Sequence, residues 1–152
     1  MVKVLVPSGA LGLNYDNEAL RRGIAAGPDI IAIDGGSTDS GPSYLGRGVS
    51  KSARSSPKIE WAGLMAARAE ARCPLVIGTA GTCGTDSAVD WLLDITREIA
   101  EEQGERVKVA VLYSSQDPRT LADAWKKGRV TPLGNAPKID ASRIESCSNI
   151  VA

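Results

Sequence analysis

The fold is decided by residues 74–87, PLVIGTAGTCGTDS, where a short apolar run passes into a loop of glycine, threonine and serine. The segment that follows is helix-like, because Leu92, Ile95 and Ile99 recur at helical spacing along it. The same order of apolar run, polar loop and helix-like segment recurs at residues 2–16, 29–46 and 107–117. This alternation predicts an α/β domain with an open parallel (Rossmann-like, doubly wound) sheet of four to five strands and helices on both faces.

The expected element boundaries follow from periodicity and from capping residues. We expect helices that open at Asp16 or Asn17, at Ser56, at Asp86, at Asp117 and at Asp140, and a long loop over residues 34–56. The expected strands cover residues 2–6, 29–33, 75–78 and 107–112, and a fifth begins at residue 149. The whole chain of 152 residues is the size of one domain.

Composition excludes several classes of function. The 18 basic residues balance the 18 acidic ones, which argues against nucleic-acid or anionic-membrane binding. The chain has no histidine, so His-dependent triads and most zinc sites are excluded, and we expect no metal site. Cys73, Cys83 and Cys147 form no C-x-x-C pair and are expected to be reduced thiols of a cytoplasmic protein. No apolar run approaches the roughly 18 residues of a membrane span.

The two glycine-rich loops predict an anion site. Carboxyl ends of parallel strands meet at one edge, where such sheets bind ligands. Gly35 and Gly36 can form an anion nest, although they equally fit a tight turn that needs positive φ. Gly78, Gly81 and Gly84 have the spacing G-x-x-G-x-x-G, which is not the dinucleotide pattern, so NAD is not predicted and the cofactor is unknown. The expected ligand-binding residues in these and adjoining loops are Ser8, Gly9, Asp34, Gly35, Gly36, Ser37, Thr38, Ser40, Lys51, Arg54, Thr79, Gly81, Thr82, Gly84, Thr85, Ser87 and Ser114.

The expected catalytic residues lie in the same loops. Asp39 and Asp86 each stand between hydroxyl residues, and either can act as acid or base if burial raises its pKa; Asp86 can equally be a helix cap. Cys83 precedes a helix N-terminus, a position that lowers the pKa of a thiol, although it also fits as a small core residue. Lys51 and Arg54 can clamp a carboxylate or phosphate, or be solvated loop charges.

Three blocks carry a resemblance to a known family: PSGALG at residues 7–12, IDGGSTDSGPSYLGRG at 33–48 and PLVIGTAGTCGTDSAVDW at 74–91. They resemble the N-terminal half of the acyclic terpene utilisation (AtuA-like) family, also met as a domain of unknown function. The resemblance implies an enzyme or enzyme subunit of carboxylic-acid or acyl-CoA catabolism, of lyase or hydratase type. Such a protein would bind a carboxylate or a CoA thioester, with Asp39 or Asp86 in proton transfer. The alternative is a non-catalytic ligand-binding or assembly subunit.

Members of that family continue beyond the point that corresponds to Ala152, so the resemblance implies an N-terminal piece or a subunit completed by another polypeptide. We therefore expect this chain not to work as an isolated monomer. Either a homo-oligomer or a partner chain would cover part of its surface. Trp61, Trp91 and Trp125 each fall on a predicted helix, where we expect them in packing or at an interface, and in the second case they would add aromatic contacts.

Overall fold

The structure is a computed structural model, and it describes residues 1–36 and 42–151. The elements alternate along the chain, as the sequence predicts. In order they are β1 (Val4–Leu5), α1 (Asn17–Ala25), β2 (Ile30–Asp34), α2 (Pro42–Arg47), α3 (Ser55–Ala71), β3 (Leu75–Gly78), α4 (Asp86–Glu102), α5 (Pro118–Lys126) and α6 (Ala141–Glu145).

The sheet of the described residues has three strands in the order β1-β2-β3, and both pairings are parallel. In the register, Val4 pairs with Ile30 and Ala32 pairs with Val76. An open parallel sheet of an α/β domain is therefore confirmed, but the expectation of four to five strands is wrong for this part of the chain.

All the helices that build the core lie on one face of the sheet. Ile31 and Ile33 of β2 point into a core shared with Leu20 of α1, Leu64 of α3 and Ile95 of α4. The strands follow one another in sequence order, and right-handed crossovers between them put every connecting helix on the same side.

In the part of the chain that the structure describes, the other face of the sheet is open, so no doubly wound arrangement with helices on both faces is found there. Val4 and Val76 alternate with the core-facing residues, and they remain 55% and 48% exposed. A second layer of helices would require the strand order to reverse, which it does not do among the described strands.

Residues 107–112, which the sequence predicts as a strand, do not join the sheet. Between residues 107 and 113 no backbone group forms a hydrogen bond with another described residue. The segment instead lines a largely apolar cavity of about 860 Å³, whose opposite wall is β3. We call this space the edge cavity.

The predicted fifth strand is also reduced, to a single antiparallel bridge between Ser115 and Val151. Beside that bridge the amide of Gln116 donates to the carbonyl of Ile150 at 2.7 Å. Between these two segments, α5 packs mainly against α6.

Capping residues locate most helix starts correctly. Asp16, Asp117 and Asp140 cap α1, α5 and α6 by accepting backbone N–H groups of the first turn, as predicted. Two expectations fail: α3 begins at Ser55 without a side-chain cap, and α4 is capped by Thr85 rather than by Asp86. The predicted loop at 34–56 also contains α2.

None of the described helices combines the length and the apolar character that crossing a membrane requires.

Candidate functional site

The loops that follow β2 and β3 lie against each other at the carboxyl edge of the sheet. The amide of Gly35 donates to the carbonyl of Gly78 at 2.5 Å, and the carbonyl of Gly35 accepts from the amide of Thr82 at 3.1 Å. Gly35 has no room for a side chain, because a Cβ would lie 2.7 Å from the carbonyl oxygens of both Gly78 and Thr79. These two loops are therefore fixed relative to each other by backbone contacts.

The loop over residues 79–84 has an unusual backbone. Thr79, Gly81, Thr82 and Gly84 all have positive φ, at 54°, 62°, 76° and 67°. Positive φ is strained for a β-branched residue and persists only where surrounding contacts hold it. Strained residues of this kind are concentrated at binding sites and active sites, and this loop contains two of them.

Thr82 connects this loop to the loop before α3. Its Oγ1 accepts the backbone amide of Lys51 at 3.2 Å and lies 3.4 Å from Oγ of Ser50. Ser87 makes a second connection, since its hydroxyl donates to the carbonyl of Gly48 at 2.9 Å. The structure thus brings the predicted residues Lys51, Thr82 and Ser87 into one cluster.

The start of α4 adds a hydroxyl and a carboxylate to the same edge. Thr85 accepts the amide of Ala88 at 3.3 Å, and Ser87 Oγ lies 3.0 Å from its hydroxyl. Asp86 is exposed, its amide donates to Oγ of Ser115 at 3.2 Å, and its Oδ1 accepts the amide of Ser115 at 3.4 Å. The carboxylate of Asp86 therefore faces solvent beside the loop that contains Ser114, another predicted residue.

Backbone amides decide whether this edge can hold an anion. The amide of Gly36 donates to Oδ1 of Asp34 at 3.0 Å, so it is not available to an anion as the predicted Gly35-Gly36 nest requires. In contrast, the amides of Gly81, Cys83 and Thr85 donate to none of the described residues, although all three residues are buried. Buried backbone N–H groups are nearly always paired in proteins, with protein, water or ligand. The loop after β3 is therefore the stronger anion candidate.

Cys83 is only 1% exposed, and its Sγ lies 3.4 Å from Oγ1 of Thr85. Its side chain belongs to the wall of the edge cavity, so a molecule reaching Cys83 would come through that cavity rather than from the exposed edge.

Three of the predicted ligand-binding residues lie apart from the cluster or are occupied. Arg54 forms an ion pair with Glu98 of α4 at 2.6 Å, which turns it away from the predicted clamp. Ser8 makes only a long contact, 3.5 Å, with the carbonyl of Ala10, and Gly9 is exposed with space for a side chain. Ser37, Thr38, Asp39 and Ser40 lie outside the described residues.

Sequence reasoning missed Glu60, the buried carboxylate that holds the loop after β1. Glu60 is 7% exposed, and its two oxygens accept the amides of Gly12 and Asn14 at 2.7 and 3.1 Å. The hydroxyl of Tyr15 donates to the Glu60 carbonyl at 2.9 Å, and burial, followed by the Glu60 charge, raises the pKa of Tyr15 above its ordinary value. The available signal was position, because Glu60 falls on the buried face of its helix, beside Trp61 and one turn before Leu64.

Within residues 1–36 and 42–151, no group of three or more cysteine, aspartate or glutamate side chains is arranged to hold a metal ion. Comparison of the chain with protein-family models, with curated proteins and with solved structures found no match.

Proposed function

We propose that this chain binds a small anionic molecule at the loop formed by residues 79–85 and acts as an enzyme or enzyme subunit of carboxylic-acid or acyl-CoA catabolism. The observation that carries the binding proposal is the set of buried amides of Gly81, Cys83 and Thr85 without a partner among the described residues. Amides at a glycine-rich turn before a helix N-terminus favour carboxylate or phosphate oxygens, because both the N–H groups and the helix dipole carry positive potential.

The reaction class rests on the resemblance to the AtuA-like family, and we propose a lyase or hydratase. Such reactions need a group that moves a proton next to the bound anion. We propose Asp86 for this role because of its position, since its carboxylate lies at the edge of the loop and accepts the amide of Ser115. Asp86 is exposed, so the burial expected of an acid–base carboxylate is not found in the described residues. Asp39 stays the second proposed proton-transfer residue.

Binding is tested by titrating the 15N-labelled chain with inorganic phosphate and, separately, with coenzyme A. We expect the amide resonances of Gly81, Cys83 and Thr85 to shift first and saturably. Shifts confined to other surfaces, with these three resonances unchanged, would contradict the site.

The catalytic role is tested by alanine at Asp39 and at Asp86, with Asp94→Ala as the control. Asp94 is an exposed carboxylate on the same helix as Asp86, paired only with Arg97 at 3.2 Å among the described residues. Turnover of a carboxylic-acid or acyl-CoA substrate should fall by at least about 100-fold in one of the first two variants and not in the control. Unchanged turnover in both, with weakened binding, would assign these residues to binding alone.

A second function, that of an assembly subunit, is favoured by one specific observation. Among the described residues nothing pairs with the outer edge of β3, and the edge cavity lies directly beside it. Natural sheets normally cover such an edge.

A further inference from the structure

The edge cavity is lined by the backbone of two chain segments and by apolar side chains of two helices. Its walls are β3 and residues 107–112, and its floor includes Trp61 and Met65 of α3 and Leu92 of α4. The two walls face each other across the cavity without forming a bridge.

The β3 wall presents unpaired donors and acceptors to the cavity. The carbonyls of Pro74 and Gly78 accept from Ile31 and Gly35, at 2.9 and 2.5 Å, so these positions face β2. Because backbone direction alternates along a strand, Leu75 and Ile77 direct their N–H and C=O groups the opposite way, toward the cavity. The opposite wall adds further unpaired groups, since the backbone of residues 107–113 bonds to no residue that the structure describes. By the same alternation, the groups of every second residue face the cavity.

We propose that the edge cavity is a strand-binding site, filled by an extended segment of a partner polypeptide that pairs with β3 on one side and with residues 107–112 on the other. A peptide strand carries N–H and C=O groups on both edges and can satisfy both walls at once. A hydrocarbon ligand would fill the same apolar space but would bury these backbone groups without partners, which is unfavourable. The proposal rests on β3 and residues 107–112 and does not depend on the anion site, although Cys83 and Gly84 line the cavity as well as belonging to that loop.

The walls also specify the chemistry of the segment. Side chains on one face of the inserted strand would contact Trp61 and Leu92, so alternate residues of the segment must be apolar. Side chains on its other face would lie on the open side of the sheet, beside Val76. Lys108 lies on the wall and has no carboxylate within ion-pair distance among the described residues, whereas Arg68 is already paired with Glu105. Charge complementarity therefore favours an acidic residue in the partner segment next to Lys108.

The described strands of a second copy fit poorly. β1, β2 and β3 each have at least one edge occupied by a neighbouring strand, whereas the cavity requires both edges of its occupant to be free. A segment from another polypeptide meets that requirement without unfolding a sheet.

The test is a selection of random nonapeptides from a display library on the immobilised chain, followed by binding of the enriched peptides to two variants. Ala110→Pro removes the backbone N–H of residue 110 and adds a ring. No hydrogen bond of the described structure is lost, because that N–H has no partner among the described residues. Ala110→Val is the matched control, since it adds bulk at the same exposed position and keeps the N–H.

We expect peptides with alternating apolar residues and one acidic residue, whose affinity falls at least tenfold in Ala110→Pro and changes less than about twofold in Ala110→Val. In hydrogen exchange, the amides of Leu75, Ile77 and every second residue of 107–112 should become protected by the peptide. In Lys108→Glu the preference for an acidic residue should disappear. Circular dichroism of all variants establishes that they fold.

Three results would overturn the proposal. The first is a selection that enriches no peptide, or only peptides that bind Ala110→Pro and wild type equally. The second is concentration-dependent self-association that protects the same amides, which would make a second copy the occupant. The third is protection of those amides by dodecanoate and not by any selected peptide, which would make the cavity a site for an aliphatic ligand.

Discussion

Replacement of Gly81 by alanine tests whether the loop after β3 is held rigidly against α4. Gly81 has φ of 62°, and a Cβ there would lie 2.8 Å from Cβ and 2.9 Å from the carbonyl oxygen of Ala88. Gly104, just past the end of α4, is a matched control, because it has the same φ of 62° but nothing within 4 Å of a Cβ.

The two substitutions share one cost and differ in another. A left-handed backbone costs an alanine about 1–2 kcal/mol, and the reduced freedom of the unfolded chain returns about 0.4–1 kcal/mol. The Gly104→Ala variant should thus lose about 1 kcal/mol. In Gly81→Ala the clash with the first turn of α4 adds about 1–3 kcal/mol, as for overpacked cores.

Urea denaturation followed by circular dichroism measures both values, provided that the slope m is the same for the variants. The reasoning requires Gly81→Ala to be less stable than Gly104→Ala by at least about 1 kcal/mol. Equal stabilities within about 0.5 kcal/mol would mean that the loop moves away freely, and the described contacts would then not hold the strained threonines in place.

Three further predictions concern buried polar groups and pH. Glu60→Ala should lower the free energy of unfolding by about 2 kcal/mol or more, because it leaves the amides of Gly12 and Asn14 without acceptors. The control is Glu70→Ala at an exposed position, which should change that free energy by less than about 0.5 kcal/mol in the same urea assay. A double-mutant cycle of Trp61→Phe and Thr96→Val should give a coupling of about 1 kcal/mol, since the indole N–H donates to Thr96 Oγ1 at 2.9 Å in the core; a coupling near zero would contradict that bond. Hydrogen bonds and ion pairs with Lys58 and Arg54 hold the pKa of Glu98 below its ordinary 4.5, so its contribution to stability is full above that pH and is lost as the pH falls through the lowered value. Thermal unfolding between pH 7 and pH 2.5 should therefore show a smaller pH dependence in Glu98→Gln than in wild type, and identical profiles would refute the assignment.

The parts of the fold that could be predicted from sequence are those that local chemistry decides. The stripe of Leu92, Ile95 and Ile99 specifies α4, and Asp16 and Asp117 specify where two helices begin, because a cap is a local hydrogen bond. The loops after β2 and β3 were placed at one edge for a similarly general reason, the shared direction of parallel strands.

The parts that failed depend on distant partners. The alternation of Val107, Val109 and Val111 is typical of a strand, but a strand also needs a neighbouring edge to pair with. A cavity separates this segment from β3, and the local sequence contains no sign of it. The alternation of strands and helices likewise does not encode strand order, and strand order decides that α1, α3 and α4 share one face.

Within the site, the glycines were visible in the sequence but the strained threonines were not. Nothing in the residue type of Thr79 or Thr82 suggests positive φ, since β-branched side chains disfavour it. Trp61, for which packing and an interface were both expected, is buried in the core, where its N–H donates to Oγ1 of Thr96.

The pairing of α5 with α6 has a consequence for folding cooperativity. These two helices pack mainly against each other, and hydrogen bonds of Ser115 with Asp86 and of Asn149 with Gly46 tie their flanking segments to the rest. Short-range contacts form quickly, and a unit that shares little buried surface with its neighbours can open by itself, as foldons do. We therefore expect one cooperative unit around the buried Leu64 and Ile95 and a second, less stable one around the buried Ala122 and Ile144. Opening of the second unit should release Asp86 from Ser115 but keep the backbone bonds of Gly35 with Gly78 and Thr82, which fix the loop after β3.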